Sequence, residues 1–172
     1  MDVKEDSFIP DFCRKKILIL GCGNILFGDD GFGPAVIQHL IDHYHIPDDV
    51  YIMDVGTGVR KLLFTLSLNS INTKQIIIID AVDKGRVPGE IFELTLDDLP
   101  HEKADDFSLH QVPSSNLAKE LRDAGINVRV LVCQVKTIPE IVKPGLSNIL
   151  NEAVPKMCTL IAEEFFIKVS NV

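Results

Sequence analysis

The sequence predicts a three-layer α/β/α domain, built on a mostly parallel, twisted sheet of about five strands flanked by helices. Three observations carry that expectation. Short aliphatic runs alternate with longer runs whose apolar residues recur at helical spacing. Residues 76–79 are consecutive isoleucines, the pattern of a strand buried on both faces. A glycine-rich loop follows the first aliphatic run, where a strand hands over to a helix in doubly wound folds.

The elements follow in order. Residues 16–20 (KILIL) form the first strand. Over residues 32–44, Val36, Ile37, Leu40, Ile41 and Tyr44 recur at helical spacing and mark the apolar face of a helix. Residues 50–55 give a second strand, closed by Gly56-Thr57-Gly58, and residues 59–68 a short helix. The isoleucine strand spans 75–79, with Asp80 at its end. After a turn at 84–88, residues 90–94 alternate as an edge strand, a hairpin-like insertion that makes the sheet mixed. A polar, acidic loop over about 97–111 precedes a helix at 114–124 and a last aliphatic strand at 127–132. Leu146, Ile149, Leu150, Ala153, Met157, Leu160 and Ile161 trace one face of a long final helix. Ser147 is placed to cap it, and Pro155 to kink it or to lie near its first turns.

Composition bounds the function. A chain of 172 residues with 46% hydrophobic content and no tryptophan fits one domain with an aliphatic core, here residues 15–172. Residues 1–14 read as a loosely ordered N-terminal extension. Their charged start has no apolar centre, so they are no secretory signal, and no apolar run approaches the roughly 18 residues of a membrane span. Cys13, Cys22, Cys133 and Cys158 are far apart and form no C-x-x-C pair, which argues against a zinc knuckle or a disulfide framework and suits a reducing cytoplasm. A net charge of −8 argues against a nucleic-acid partner, since phosphate binding needs a basic face. The expected state is a cytoplasmic monomer or weak homo-oligomer.

The loop GCGNILFGDD (21–30) raises the question of its ligand. A dinucleotide fingerprint wants G-x-G-x-x-G; Gly21 and Gly23 are present, Leu26 stands in the third place, and Asp54 could serve as the ribose acid. The adjacent acids Asp29 and Asp30 would repel a pyrophosphate. A P-loop is excluded, because no Gly-Lys-Ser/Thr follows. The opening Gly-x-Gly-Asn is also similar to peptidyl-tRNA hydrolases, but those need a surface that attracts tRNA, and this chain is acidic.

A different chemistry comes from three positions. Asp30 lies just past the first strand, Asp80 ends the isoleucine strand, and His110 lies late in the loop after the edge strand. If the sheet is wound as predicted, all three can reach one cleft at the carboxyl ends of the strands. Two carboxylates and an imidazole make an open site for a divalent transition metal. On spacing alone the plainer alternative stands beside it: Asp30 caps a helix, and His110 is an ordinary loop histidine.

GCGNILFGDDGFG (21–33), DVGTG (54–58), IIIIDAVDKGRVPGEI (76–91), SLHQ (108–111) and PGLS (144–147) occur in that order. Together, over about residues 16–165, the chain resembles the hydrogenase maturation endopeptidases. DKGRVPGEIF (83–92) and Cys133-Gln134-Val135 are most similar to the branch serving the deazaflavin-reducing hydrogenases of methanogens. The resemblance implies an endopeptidase that removes a C-terminal extension from the precursor of a [NiFe] hydrogenase large subunit after nickel insertion. It puts the family's metal-contacting acids on Asp30 and Asp80 and its histidine on His110, and makes these the catalytic residues. Nickel is expected to arrive on the substrate, with surrogate divalent cations possible.

The chemistry is consistent with such a set. No G-x-S-x-G elbow and no obvious Cys/His pair is present, so water is the expected nucleophile. A cation held by Asp30, Asp80 and His110 would acidify bound water or polarise the scissile carbonyl. Gly21 and Gly23 then permit a tight turn, Gly31 and Gly33 let a substrate backbone approach, and Asn24 bonds across the loop, while Gly56 and Thr57 wall the cleft. Two rivals remain: a nucleotide- or S-adenosylmethionine-binding Rossmann domain using Gly21, Gly23 and Asp54, and a nickel-binding chaperone that recognises without cutting. His39 and His43 imitate the zinc-peptidase pattern H-x-x-E-H but read as polar-face residues. Cys22 reads as small-residue packing and Asp29 as capping or support for the site. The acids Asp97, Asp98, Glu102, Asp105 and Asp106 read as a solvated loop that could help dock the large subunit.

Overall fold

The computed structural model describes residues 10–69, 72–98 and 115–166. Its five-stranded sheet has the order β2-β1-β3-β5-β4. Strands β1 (Ile17–Cys22), β2 (Val50–Gly56), β3 (Gln75–Val82) and β5 (Asn127–Gln134) are parallel, and β4 (Ile91–Leu94) runs antiparallel to β5. The two-residue period of a strand divides the core. Ile19, Ile77, Ile79, Leu131 and Cys133 face α1 (Phe32–His43) and α4 (Asn148–Ile161), including Phe32, Leu40 and Met157. Leu18, Leu20, Ile76, Ile78, Val130 and Val132 face α2 (Val59–Asn69) and α3 (Ser115–Asp123), including Leu63, Leu66 and Leu121. The isoleucine run is buried on both sides because helices cover both.

The edge strand is no hairpin arm. β4 pairs with β5, and β5 lies between it and β3. Strand β5 pairs with β3 along its whole length, Gln75↔Asn127 to Val82↔Gln134, so this long aliphatic strand takes the buried place. The short, half-covered β4 is left to blunt the edge. β1 and β3 also run further than the apolar runs suggest: β1 includes Gly21 and Cys22, and β3 passes through Asp80 to Val82. Ile41 is 54% exposed and lies off the apolar face of α1.

Residues 10–14 are not loose. A short 3-10 turn, Asp11–Arg14, buries Cys13 completely against the α2/α3 side of the core. α4 continues through Pro155 and ends in a π-helical turn, Ala162–Phe166. No helix among the described residues is long and apolar enough to cross a membrane.

The winding fixes where a ligand can sit. β1 leads through α1 to β2 on one side, and β2 returns through α2 to β3 on the other. The two crossovers lie on opposite faces, which leaves a crevice beyond the carboxyl ends of β1 and β3.

Candidate active site

Asp30 and Asp80 meet at that crevice. β1 and β3 pair as far as Gly21↔Ile79, and Cys22 and Asp80 come next on the two strands as they part. Asp30 lies on a 3-10 turn, Gly28–Gly31, joined directly to α1. Its Oδ2 accepts a hydrogen bond from the Asn24 backbone N–H at 2.8 Å. Asp80 is 1% exposed, and its Oδ1 accepts from the Ala81 N–H at 2.8 Å. Its Oδ2 is buried with no hydrogen-bond partner among the described residues. An acceptor left unpaired in a core is costly, and such atoms concentrate where a ligand is to come.

The electrostatics follow from this placement. Burial raises the Asp30 pKa, with the Asn24 N–H opposing it. Burial raises Asp80 well above the usual carboxylate range, opposed by the Ala81 N–H and reinforced by the charge of Asp30. The Cys22 thiol is driven far up by burial and then by Asp80, Asp54 and Asp30, so it stays protonated and is no nucleophile. Cys22 thus lies in the field of three carboxylates. Of these, the buried pair Asp30 and Asp80 could take a cation between them, which would relieve the repulsion and engage the unpaired oxygen. His110 lies outside the described residues, as does the SLHQ segment that contains it. Among the described residues no group of three or more His, Cys, Asp and Glu side chains forms a metal-holding set.

The glycines act differently from the expectation. A Cβ at Gly33 would lie 2.1 Å from the Cys22 carbonyl oxygen, and one at Gly21 would lie 2.6 Å from the Gly33 carbonyl oxygen. The chain's own backbone therefore fills the space expected at Gly33 for a substrate, and Gly21 makes close packing rather than a turn; these two glycines seat the start of α1 on β1. Gly21 is accordingly a strand residue, not part of a cleft loop. Gly23, at φ +135°, would put a Cβ 1.9 Å from the Asp30 carbonyl oxygen, so its bareness folds the loop back over the strand end. Asn24 bonds to Asp30 through its backbone, while its side-chain oxygen accepts from the Leu26 N–H within the turn. The Gly56 carbonyl accepts from the Gly23 N–H at 3.1 Å, which sets the end of β2 beside the loop, with Thr57 exposed next to it. Gly31 borders a cavity of about 350 Å³ with Ile25, Pro34, Ala35, Asp54 and Leu146, though a Cβ on it would lie 3.1 Å from the Ile25 Cα.

Asp29 points away from Asp30 in function. It is 1% exposed and accepts hydrogen bonds from the N–H groups of Lys136, Thr137 and Ser147 and from Ser147 Oγ. It ties the glycine loop to the 136–147 segment and to the start of α4, a role wider than local capping. His39 and His43 stack at 4.1 Å near the far end of α1, away from the crevice. Asp54 enters the site through its field on Cys22 and through the cavity; its place closing β2 was the signal for it.

A family model for the hydrogenase maturation protease HycI matches residues 34–164. The chain belongs to the hydrogenase maturation protease family. A homologue named as a hydrogenase maturation protease in Methanocaldococcus jannaschii is 43% identical over 153 residues, covering 88% of this chain and 97% of that one. Coenzyme F420 hydrogenase subunit delta of Methanothermobacter thermautotrophicus is 35% identical over 154 residues, covering 87% and 94%. Among solved structures, the hydrogenase maturating endopeptidase HybD from E. coli superimposes with a TM-score of 0.61 at 30% identity, over 87% of this chain and 94% of that one. Family membership makes this protein a peptidase, and the acid pair sits where an α/β enzyme binds its ligand.

Proposed function

We propose that this protease removes the C-terminal extension of a [NiFe] hydrogenase large-subunit precursor after nickel has been inserted, and that the nickel on the precursor is what it reads. The observation that supports this reading is the buried pair Asp30 and Asp80, both with raised pKa, one with an oxygen that meets no donor among the described residues. Two carboxylates buried side by side repel when both are charged, and a cation between them would relieve that repulsion. Asp30, Asp80 and His110 are the residues assigned to hold it, His110 on its sequence position alone.

Nickel bound there supplies Lewis-acid polarisation of the scissile carbonyl or of water. The chain's own groups do the rest. Burial favours the protonated form of Asp80, and an arriving cation would favour the ionised one. The ionised carboxylates then fix the cation's position, and either can exchange a proton with the attacking water. An empty precursor brings no positive charge to the pair and is not cut.

The test is mass measurement of nickel-loaded and nickel-free precursor after incubation with the protein. Loss of the extension from the loaded form only is the expected result. Efficient cutting of the nickel-free form overturns recognition of nickel but not the peptidase. Stable binding without cutting would turn the reading to a chaperone.

A further inference from the structure

Gln134 is a buried amide with every hydrogen-bonding position used. It is 3% exposed. Its Oε1 accepts from the backbone N–H groups of Lys84 at 2.9 Å and Arg86 at 3.2 Å. Its Nε2 donates to Asp83 Oδ1 at 2.9 Å and to the Val135 carbonyl at 3.1 Å. Asp83 Oδ1 also accepts from the Gly85 N–H, which closes the turn on itself. These bonds hold the Asp83 carboxyl below its usual range.

What the amide holds is unusual for a buried polar group. Residues 83–87 are exposed, with Val87 at 70%, and they carry Lys84 and Arg86. Arg86 is anchored in turn, bonded to Glu90 and lying 3.9 Å over the Phe92 ring. The register pairs Asp80 with Val132 and Val82 with Gln134, so Gln134 and Asp80 share one face of the sheet on adjacent strands. The turn therefore starts three residues past Asp80, at the carboxyl-end rim of the sheet, on the β5 side of β3. The turn's residues are exposed and add little to the core, so what the root chiefly fixes is shape.

We propose that the 83–87 turn is a fixed recognition edge that receives the precursor chain beside the acid pair, and that Gln134 is its positioning residue. It governs substrate affinity and leaves the cutting step alone. This inference rests on the proteolytic reading for its substrate, but its geometry does not depend on the metal.

The experiment is a charge-swap cycle read on nickel-loaded precursor, with kcat and KM measured separately and precursor Kd measured by calorimetry. Gln134→Glu keeps the acceptor for Lys84 and Arg86 but sets a carboxylate against Asp83. It should raise KM about tenfold, the effect of losing one charge-assisted hydrogen bond, with kcat within about twofold. Adding Asp83→Asn to it restores a donor facing a carboxylate and should return KM to within about threefold of the parent. A merely structural role would lower the melting temperature and leave the KM of the folded fraction unchanged. Should Gln134→Glu fail to fold, the exposed Asp83→Ala frees the turn in an intact fold and must raise KM in the same direction. Unchanged KM in a folded Gln134→Glu or Asp83→Ala, a fall in kcat alone, or no rescue in the double variant overturns the proposal. A parent chain that binds precursor without cutting overturns the proteolytic reading, and Kd then reports on the turn by the same pattern. A parent chain that neither binds nor cuts overturns both.

Discussion

Three buried aspartates within one small region serve two purposes, and their partners decide which. Asp29 accepts hydrogen bonds from four donors and works as an internal staple. Replacing it with Ala leaves the Lys136, Thr137 and Ser147 N–H groups without an acceptor and should cost about 2–4 kcal/mol in a urea unfolding experiment. Asp80 has one satisfied oxygen and one with no partner among the described residues, so its charge is costly where it lies. Asp80→Asn should suppress cleavage by a factor of about a hundred or more, while the metal-free variant melts no lower than the parent. The pH dependence has a definite sign. Above about the ordinary 3.8 the unfolded chain ionises Asp80 and the native chain keeps its proton. The unfolded state then binds fewer protons, and the parent loses stability as pH rises toward the native pKa. The melting-temperature advantage of Asp80→Asn in chelator should accordingly be smallest near pH 4 and grow toward neutrality. A gap that does not change with pH would contradict the raised native pKa.

At the scale of elements, the strand-to-helix joint from β1 through the glycine loop to α1 is where packing is tightest. Gly33→Ala would drive a methyl into the Cys22 and Ile79 carbonyl oxygens, both backbone atoms that cannot move aside. It should cost about 3 kcal/mol or more and lower the yield of folded protein. Gly85→Ala meets nothing within 4 Å and carries only the strain of φ +67°. Its cost should be about 1–2 kcal/mol. Thermal unfolding of the two variants side by side checks the ranking; equal losses would mean that the joint can relax. The sequence announced the joint by its glycines, but it could not say which glycine faces a ligand and which a carbonyl oxygen. That depends on how closely α1 approaches β1, a contact between segments. The hairpin expectation failed for a similar reason. The alternation over 90–94 identifies an edge strand correctly, yet the edge it joins is set by β5 arriving later in the chain.

For the whole molecule, divalent cations should stabilise the metal-free protein by linkage, about 2.7 kcal/mol at a hundredfold excess over Kd. Nickel or cadmium should thus raise the melting temperature, Asp30→Asn and His110→Ala should each reduce that rise, and a His39→Ala/His43→Ala double change should leave it intact. Loss of the rise in the histidine pair instead would move the metal to the far end of α1. The sequence by itself determined the fold class, because strand and helix periods and the doubly buried isoleucine run are local patterns that admit few windings. It also drew Asp30 and Asp80 to one end of the sheet, because residues near the end of a parallel strand or just past it lie toward the rim wherever the strand sits. Only the tertiary structure decided which acid is a staple and which a bare carboxylate. Only it decided that Gly21 and Gly33 are filled by the chain itself, and that Gln134 roots a turn about fifty residues away in sequence. The physical reason is one of range: a strand's period is written in neighbouring residues, whereas a hydrogen-bond partner or a desolvated charge is created by segments that meet only when the chain has folded.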